Sequence, residues 1–216
     1  MTELKKGERM EYEPKLTLRD KKKEATAFAL AEAAFELALK HGMEGFIVDD
    51  VVQKAGFSRR TFANYFSCKE EAVAEYFIGN VSKEDKNMLF KDMPPDTTPL
   101  DALYNLLKLQ FTSEFLHKLR QFVLLANQYP SLEPYILSVF RRLQIAAQQT
   151  LEQFSRGRYA DGYTHLLAGA VYGAFVPILD GRLNVLLPGE AQEEDSGAMS
   201  FDQYLNSMFA YLHNGF

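Results

Sequence analysis

The segment 48–66, Val-Asp-Asp-Val-Val-Gln-Lys-Ala-Gly-Phe-Ser-Arg-Arg-Thr-Phe-Ala-Asn-Tyr-Phe, constrains the fold more than any other part of the chain. It reads as two short helices about a tight corner. Val48, Val51, Val52 and Ala55 recur at three- and four-residue spacing and give the first helix one apolar face. Ala55 is small enough for a second helix to cross closely. Gly56 supplies the positive φ that ends a helix and redirects the chain. Phe57 fills the corner. Ser58 is a strong N-cap, because its hydroxyl accepts from a backbone N–H two or three residues on. Phe62 and Phe66, one turn apart, anchor the second helix inward. Arg59, Arg60, Thr61, Ala63, Asn64 and Tyr65 are left facing out.

Two arginines, an amide and a phenol on a short exposed helix suit double-stranded DNA. Arginine reads guanine bidentately or clamps phosphate, and asparagine pairs with adenine. In a helix-turn-helix the second helix enters the major groove by its N-terminal residues. Lys22 lies in a lysine cluster, 21–23, that opens the preceding helix and is placed to hold the backbone. Lys69 opens the following helix, where its charge and the helix N-terminus can meet a phosphate. The candidate DNA-binding residues are therefore Lys22, Arg59, Arg60, Thr61, Asn64, Tyr65 and Lys69. The plainer reading of the same pattern is a surface helical hairpin with solvated charges. Composition gives DNA no help: the net charge is −5, and the first 80 residues carry 13 Lys and Arg against 14 Asp and Glu. A DNA-binding face must come from spatial sorting of charge, which counts because salt screens anything beyond about 10 Å.

Ala55-Gly56-Phe57-Ser58, Thr61-Phe62-Ala63-Asn64-Tyr65-Phe66 and Lys69-Glu70 resemble the N-terminal signature of the tetracycline-repressor (TetR/AcrR) family, over about residues 22–77. The sequence departs from that signature at Ala63, where the family usually has an aromatic residue touching the DNA backbone, so weight shifts to Asn64 and Tyr65. The resemblance implies an all-α protein: an N-terminal three-helix helix-turn-helix domain and a C-terminal helical ligand-binding and dimerisation domain. On this reading residues 1–16 are a flexible arm, 17–68 the DNA-binding domain, and 69–216 the effector and dimer domain.

The coarse reading of the chain agrees. Thr17 or Asp20 caps a helix whose stripe Phe28, Ala31, Phe35 and Leu39 stops at His41-Gly42. A helix is expected from residue 69 to about 89, followed by a linker holding Pro94, Pro95 and Pro99. Leu100, Leu103, Leu107, Gln110 or Phe111, and Phe115 make one stripe, and Leu119, Phe122, Val123 and Ala126 a shorter one. Ile136, Val139, Leu143, Ala147, Thr150 and Phe154 make a third. Residues 163–183 are apolar on nearly all sides, 187–200 read as an acidic loop, and 201–212 as a last amphipathic helix. No segment alternates with period two long enough to be a strand.

Ligand pockets are mostly apolar with a few convergent polar groups, often between the helices of a bundle. Tyr104, Phe111, Phe115, Phe122, Phe140, Gln144, His165 and Tyr172 are the candidate effector-binding residues, for a small apolar or aromatic molecule. Each of them taken singly also reads as ordinary core or surface. Gly169, Ala170 and Gly173 permit close helix approach and, with Tyr204 and Met208 of the last helix, are the candidate dimer interface. A two-fold homodimer suits a palindromic operator. A buried central helix within one subunit is the other reading of the same small-residue stretch.

Other chemistry is thin. Cys68 is the single cysteine, and the four histidines have no metal-ligand spacing. No nucleophile motif or phosphate loop is present, so neither an enzyme nor a cofactor or metal is expected. Absence of a secretory leader and of a long apolar run leads to the expectation of a cytoplasmic chain without a membrane partner. The function expected is a transcriptional repressor released from its operator by an effector. The alternative is a DNA-tethered regulator whose C-terminal domain answers to a protein.

Overall fold

The computed structural model describes residues 17–78, 93–94, 96–155, 157–191 and 197–214. The expected arm, 1–16, and most of the expected helix 69–89 lie outside the described residues.

The first helix, α1 (Leu18–His41), opens on a capping box. The Thr17 N–H donates to Asp20 Oδ2 at 3.0 Å, and the Asp20 N–H returns to Thr17 Oγ1 at 3.2 Å. It stops at Gly42, whose φ of 68° no β-carbon favours and whose N–H donates to the Ala38 carbonyl at 2.9 Å. Then come α2 (Val48–Ala55), α3 (Arg59–Ala63) and α4 (Lys69–Glu75). Leu30, Ala34, Phe35 and Ala38 of α1 are buried together with Val51, Phe62, Phe66, Ala72 and Val73, which makes the small N-terminal core.

The second unit is built from α5 (Pro99–Gln110), α6 (Ser113–Gln128), α7 (Glu133–Ser155), α8 (Asp161–Leu179) and α9 (Phe201–Asn214). Thr98 caps α5, and Pro99 sits at its first position, where a missing N–H costs nothing. The apolar stripe expected to run from Leu100 to Phe115 belongs to two helices. Phe111 leaves the helix at φ −90°, ψ 62°, and the Thr112 hydroxyl accepts from the Phe115 N–H at 3.2 Å to start α6. Neither glycine nor proline marks that break, so the apolar spacing runs straight through it. The expected loop 187–200 is not wholly irregular. Val185–Leu186 and Met199–Ser200 pair as two short parallel strands, β1 and β2, that tie the loop's ends together.

Residues Gly162–Leu179 are long and apolar enough to cross a bilayer. Here they form α8, which buries Leu167, Ala168, Val171, Tyr172, Phe175 and Ile178 inside this unit, as a core helix does.

The two units share one core. Phe77, just past α4, stacks on Phe122 of α6 at 4.9 Å and meets the edge of Phe35 of α1 at 5.1 Å. Beside it Tyr76 stacks on Phe35 at 4.9 Å, while its hydroxyl accepts from Lys118 Nζ at 2.5 Å. Arg142 of α7 makes a two-pronged pair with Glu75 at 2.5 and 2.9 Å. The Tyr129 ring closes against Gly42, where a β-carbon would collide with its hydroxyl. Gly56 also has positive φ, but open space lies around it. Gly56→Ala should therefore cost about 1 kcal/mol of backbone strain. Gly42→Ala should cost more, because it also forces the joint apart; denaturant unfolding of both variants checks the order.

Candidate nucleic-acid interface

The corner between α2 and α3 is built as its residues dictate. Gly56 is left-handed at φ 75°, ψ 29°, and the next N–H, of Phe57, donates to the Val52 carbonyl at 2.9 Å. The Ser58 hydroxyl accepts from the Thr61 N–H at 3.1 Å and lies 2.9 Å from the Thr61 hydroxyl. Phe62 and Phe66 are buried with ring centroids 5.5 Å apart, which fixes how α3 rolls. Arg59, Arg60, Ala63 and Asn64 are exposed together, so this face of α3 is open to a groove. Thr61 and Tyr65 are half-buried. Thr61 spends its hydroxyl on the cap. Tyr65 turns toward α1 and lines a shallow groove of about 340 Å³ with Asp20, Lys23, Glu24 and Ala27. That groove brings Lys23 of the α1 lysine cluster to the same side as Tyr65, and Lys22 beside it in sequence is exposed.

The two arginines differ. Arg59 is held by Asp49 of α2, through both Nε and Nη2. The hydrogen bond from Arg59 keeps the Asp49 carboxyl below its usual range, and the same bond raises the guanidinium. Arg60 has no ion-pair partner among the described residues. Asp49 was not among the residues expected from sequence. An acid in the first turn of a helix ordinarily answers the helix dipole, and only the crossing of α2 and α3 brings it to Arg59.

Lys69 is placed otherwise than expected. Its ammonium donates to the carbonyls of Met43 and Phe46, the latter at 2.8 Å, and sits 4.8 Å over the Phe46 ring. It buckles the corner between α1 and α2 instead of offering its charge to a phosphate. Cys68, next to it, caps α4 and lies 3.0 Å from the Tyr135 hydroxyl. Lys69→Ala should lower unfolding stability by about 1–3 kcal/mol, the scale of a charged hydrogen-bonded group. Its loss of DNA affinity should be no greater than that stability change explains; paired melting and anisotropy curves check it.

In the C-terminal unit the effector candidates fall in more than one place among the described residues. Phe111, Phe115 and Tyr172 come together: Phe111 stacks on Phe115 at 5.9 Å and meets the edges of Tyr172 at 6.1 Å and Phe175 at 4.6 Å. Phe122 joins them through Phe77, which is 6.2 Å from Phe115. Inside this apolar cluster the Tyr172 hydroxyl donates to Gln110 Oε1 at 3.0 Å, and burial pushes the phenol's pKa up. Gln110, which the helical spacing sets on the apolar stripe of α5, is a buried polar partner. Tyr104 lies elsewhere, on an open groove of about 390 Å³ between α5 and α9, donating to Asn206 at 2.7 Å. Phe140 and Gln144 are half-buried on α7, and exposed His165 lies 2.6 Å from Gln148.

The dimer candidates also divide. Ala170 and Gly173 are exposed, with open space around Gly173. Gly169 faces α7, where a β-carbon would come 3.4 Å from Gln144. Tyr204 is half-buried and donates to the Ala174 carbonyl at 2.9 Å, and Met208 is buried in its own subunit. Leu166, 72% exposed, extends the Ala170–Gly173 face by one turn. No cluster of metal-ligating side chains exists among the described residues.

Comparison with known proteins gives the site its context. Residues 30–76 match the family "Bacterial regulatory proteins, tetR family". None of the curated proteins matches the sequence. A putative TetR-family transcriptional regulator from Mesorhizobium loti MAFF303099 shares the fold at TM-score 0.50, with 16% identity over 88% of this chain and 95% of its own. A TetR/AcrR-family regulator from Thermobifida fusca YX-ER1 is 20% identical over 89% of this chain and 98% of its own, at TM-score 0.47. The helix-turn-helix, α2 and α3, lies inside the segment that matches the tetR family, and the described chain behind it is mainly helical.

Proposed function

We propose that the protein is a homodimeric repressor that leaves a palindromic operator when a small apolar or aromatic effector enters the C-terminal unit. The observation that carries this reading is the unbroken run of rings from α1 to α8. Phe35, Phe77, Phe115, Phe111 and Tyr172 touch in sequence, so a molecule that displaces Phe111 or Tyr172 presses on the residue that seats α4. Aromatic cores repack between discrete arrangements rather than deform smoothly, which is what a switch requires. The Tyr172–Gln110 pair offers the effector one donor and one acceptor in an otherwise apolar surround.

On this reading Arg59, Arg60 and Asn64 read bases or phosphates, Lys22 holds the backbone and Tyr65 supports it from α1. The face made by Leu166, Ala170 and Gly173 pairs with its copy, setting the spacing of two α3 helices. The cytoplasm is the compartment this function requires.

The test uses fluorescence anisotropy on a duplex enriched from a randomised double-stranded pool. Arg60→Ala and Lys22→Ala should each lower the slope of log affinity against log salt by about one, as expected for one lost phosphate contact. Leu166→Asp should shift the protein to monomer in sedimentation and weaken duplex binding with it. Aromatic compounds that raise the melting temperature should release the duplex, and Tyr172→Phe should blunt that release. Undiminished binding by the Leu166→Asp monomer would overturn the dimer. A duplex that no aromatic ligand releases would favour a protein partner instead.

A further inference from the structure

We infer that Asp49 is a specificity-determining residue that positions Arg59 to read a guanine; the inference rests on the DNA-reading role of α3. A guanidinium has five N–H donors in a rigid plane, and its two edges do different work. Asp49 takes the side edge of Arg59, through Nε and Nη2. The end-on fork, made by Nη1 and the remaining N–H of Nη2, is left free. That fork matches the O6 and N7 acceptors guanine shows in the major groove.

Position and exposure agree. Arg59 is the first residue of α3, the end that enters the groove, and its side chain is 68% exposed even while paired. Asp49 reaches it from the first turn of α2, so both ends of the pair are seated on helices whose crossing is fixed by Val51, Val52 and Phe62. Arg60, one residue on, has no ion-pair partner among the described residues and stays free to follow a phosphate. An arginine that only supplied charge would gain nothing from a neighbouring carboxylate, which repels the DNA backbone. Asp49 answers the dipole of α2 as well, but its bond to Arg59 is one that direction explains and charge does not: it gives up sequence-independent affinity to fix which base is read.

The test is a cycle of Asp49→Asn, Arg59→Ala and the double variant, with circular dichroism to verify folding. The wild-type chain first enriches a motif from a randomised duplex pool. Each protein is then titrated on that duplex, on a scrambled duplex, and on the enriched duplex carrying 7-deazaguanine at the guanine that Arg59→Ala ceases to prefer. Asp49→Asn should lower the ratio of enriched to scrambled affinity about five- to a hundredfold, the scale of one base contact. Its affinity for the scrambled duplex should hold or rise. In the Arg59→Ala background Asp49→Asn should leave the ratio alone, and 7-deazaguanine should weaken the wild type more than Asp49→Asn. If Asp49→Asn changes both duplexes equally and keeps the ratio, Asp49 merely neutralises Arg59 and the inference falls, with the DNA-reading role intact. A wild-type chain that enriches no motif overturns that role and the inference together.

Discussion

The placement of Phe77 governs the rest of the structure. It lies against Phe122 of one unit and Phe35 of the other, about 5 Å from each, and is itself almost fully buried. Rings in offset or edge contact contribute both burial and directional attraction. Because the ring serves two cores at once, neither unit can shift without disturbing the other. The polar contacts around it, Lys118 with Tyr76 and Glu75 with Arg142, lie at the rim of this packing. Half-exposed pairs of that kind add little stability, yet they fix the angle at which α4 leaves the N-terminal core.

That arrangement holds the helix-turn-helix in place. Lys69 pins the corner between α1 and α2, Ser58 caps α3, and Phe62 and Phe66 hold its roll. Among the described residues Arg60, Asn64 and the lysines at the start of α1 are exposed, with Arg59 exposed beside Asp49. A net charge of −5 is compatible with this, since the face that meets a phosphate needs only a handful of cations within a Debye length. Among the described residues Asp49 is the acid bonded to Arg59, and under the proposed role of α3 its position argues for direction over bulk attraction.

The C-terminal unit divides its aromatic residues between two jobs. Phe111, Phe115, Tyr172 and Phe175 fill the space between α5, α6 and α8 and hold the buried Tyr172–Gln110 pair. Tyr104 and Phe209 instead wall an open groove at the far side of α5. Only the first set touches the rings that lead to α4, which is why the proposed effector site lies there. The outward face of α8, with Leu166 and Gly173 uncovered, is a separate feature and supports the proposed dimer on its own.

The helix-turn-helix was legible because its determinants are local. Gly56, Ser58, and the four-residue spacing of Phe62 and Phe66 each act within a turn or two of the chain, and sequence carries that information directly. The same holds for the capping box at Thr17 and for Gly42. Tertiary structure decided everything that depends on two helices meeting. Helical period set Phe111 on an apolar stripe, but could not show that Tyr104 and Tyr172 have different neighbours. It could not show Phe111 ending its helix, since the apolar spacing passes unbroken through Thr112. From sequence Lys69 was a candidate phosphate contact and Asp49 an ordinary charge of a first helical turn. One became a buckle and the other an arginine's clamp, because side chains distant in sequence acquire partners only when the packing of the helices brings them within a hydrogen bond's length.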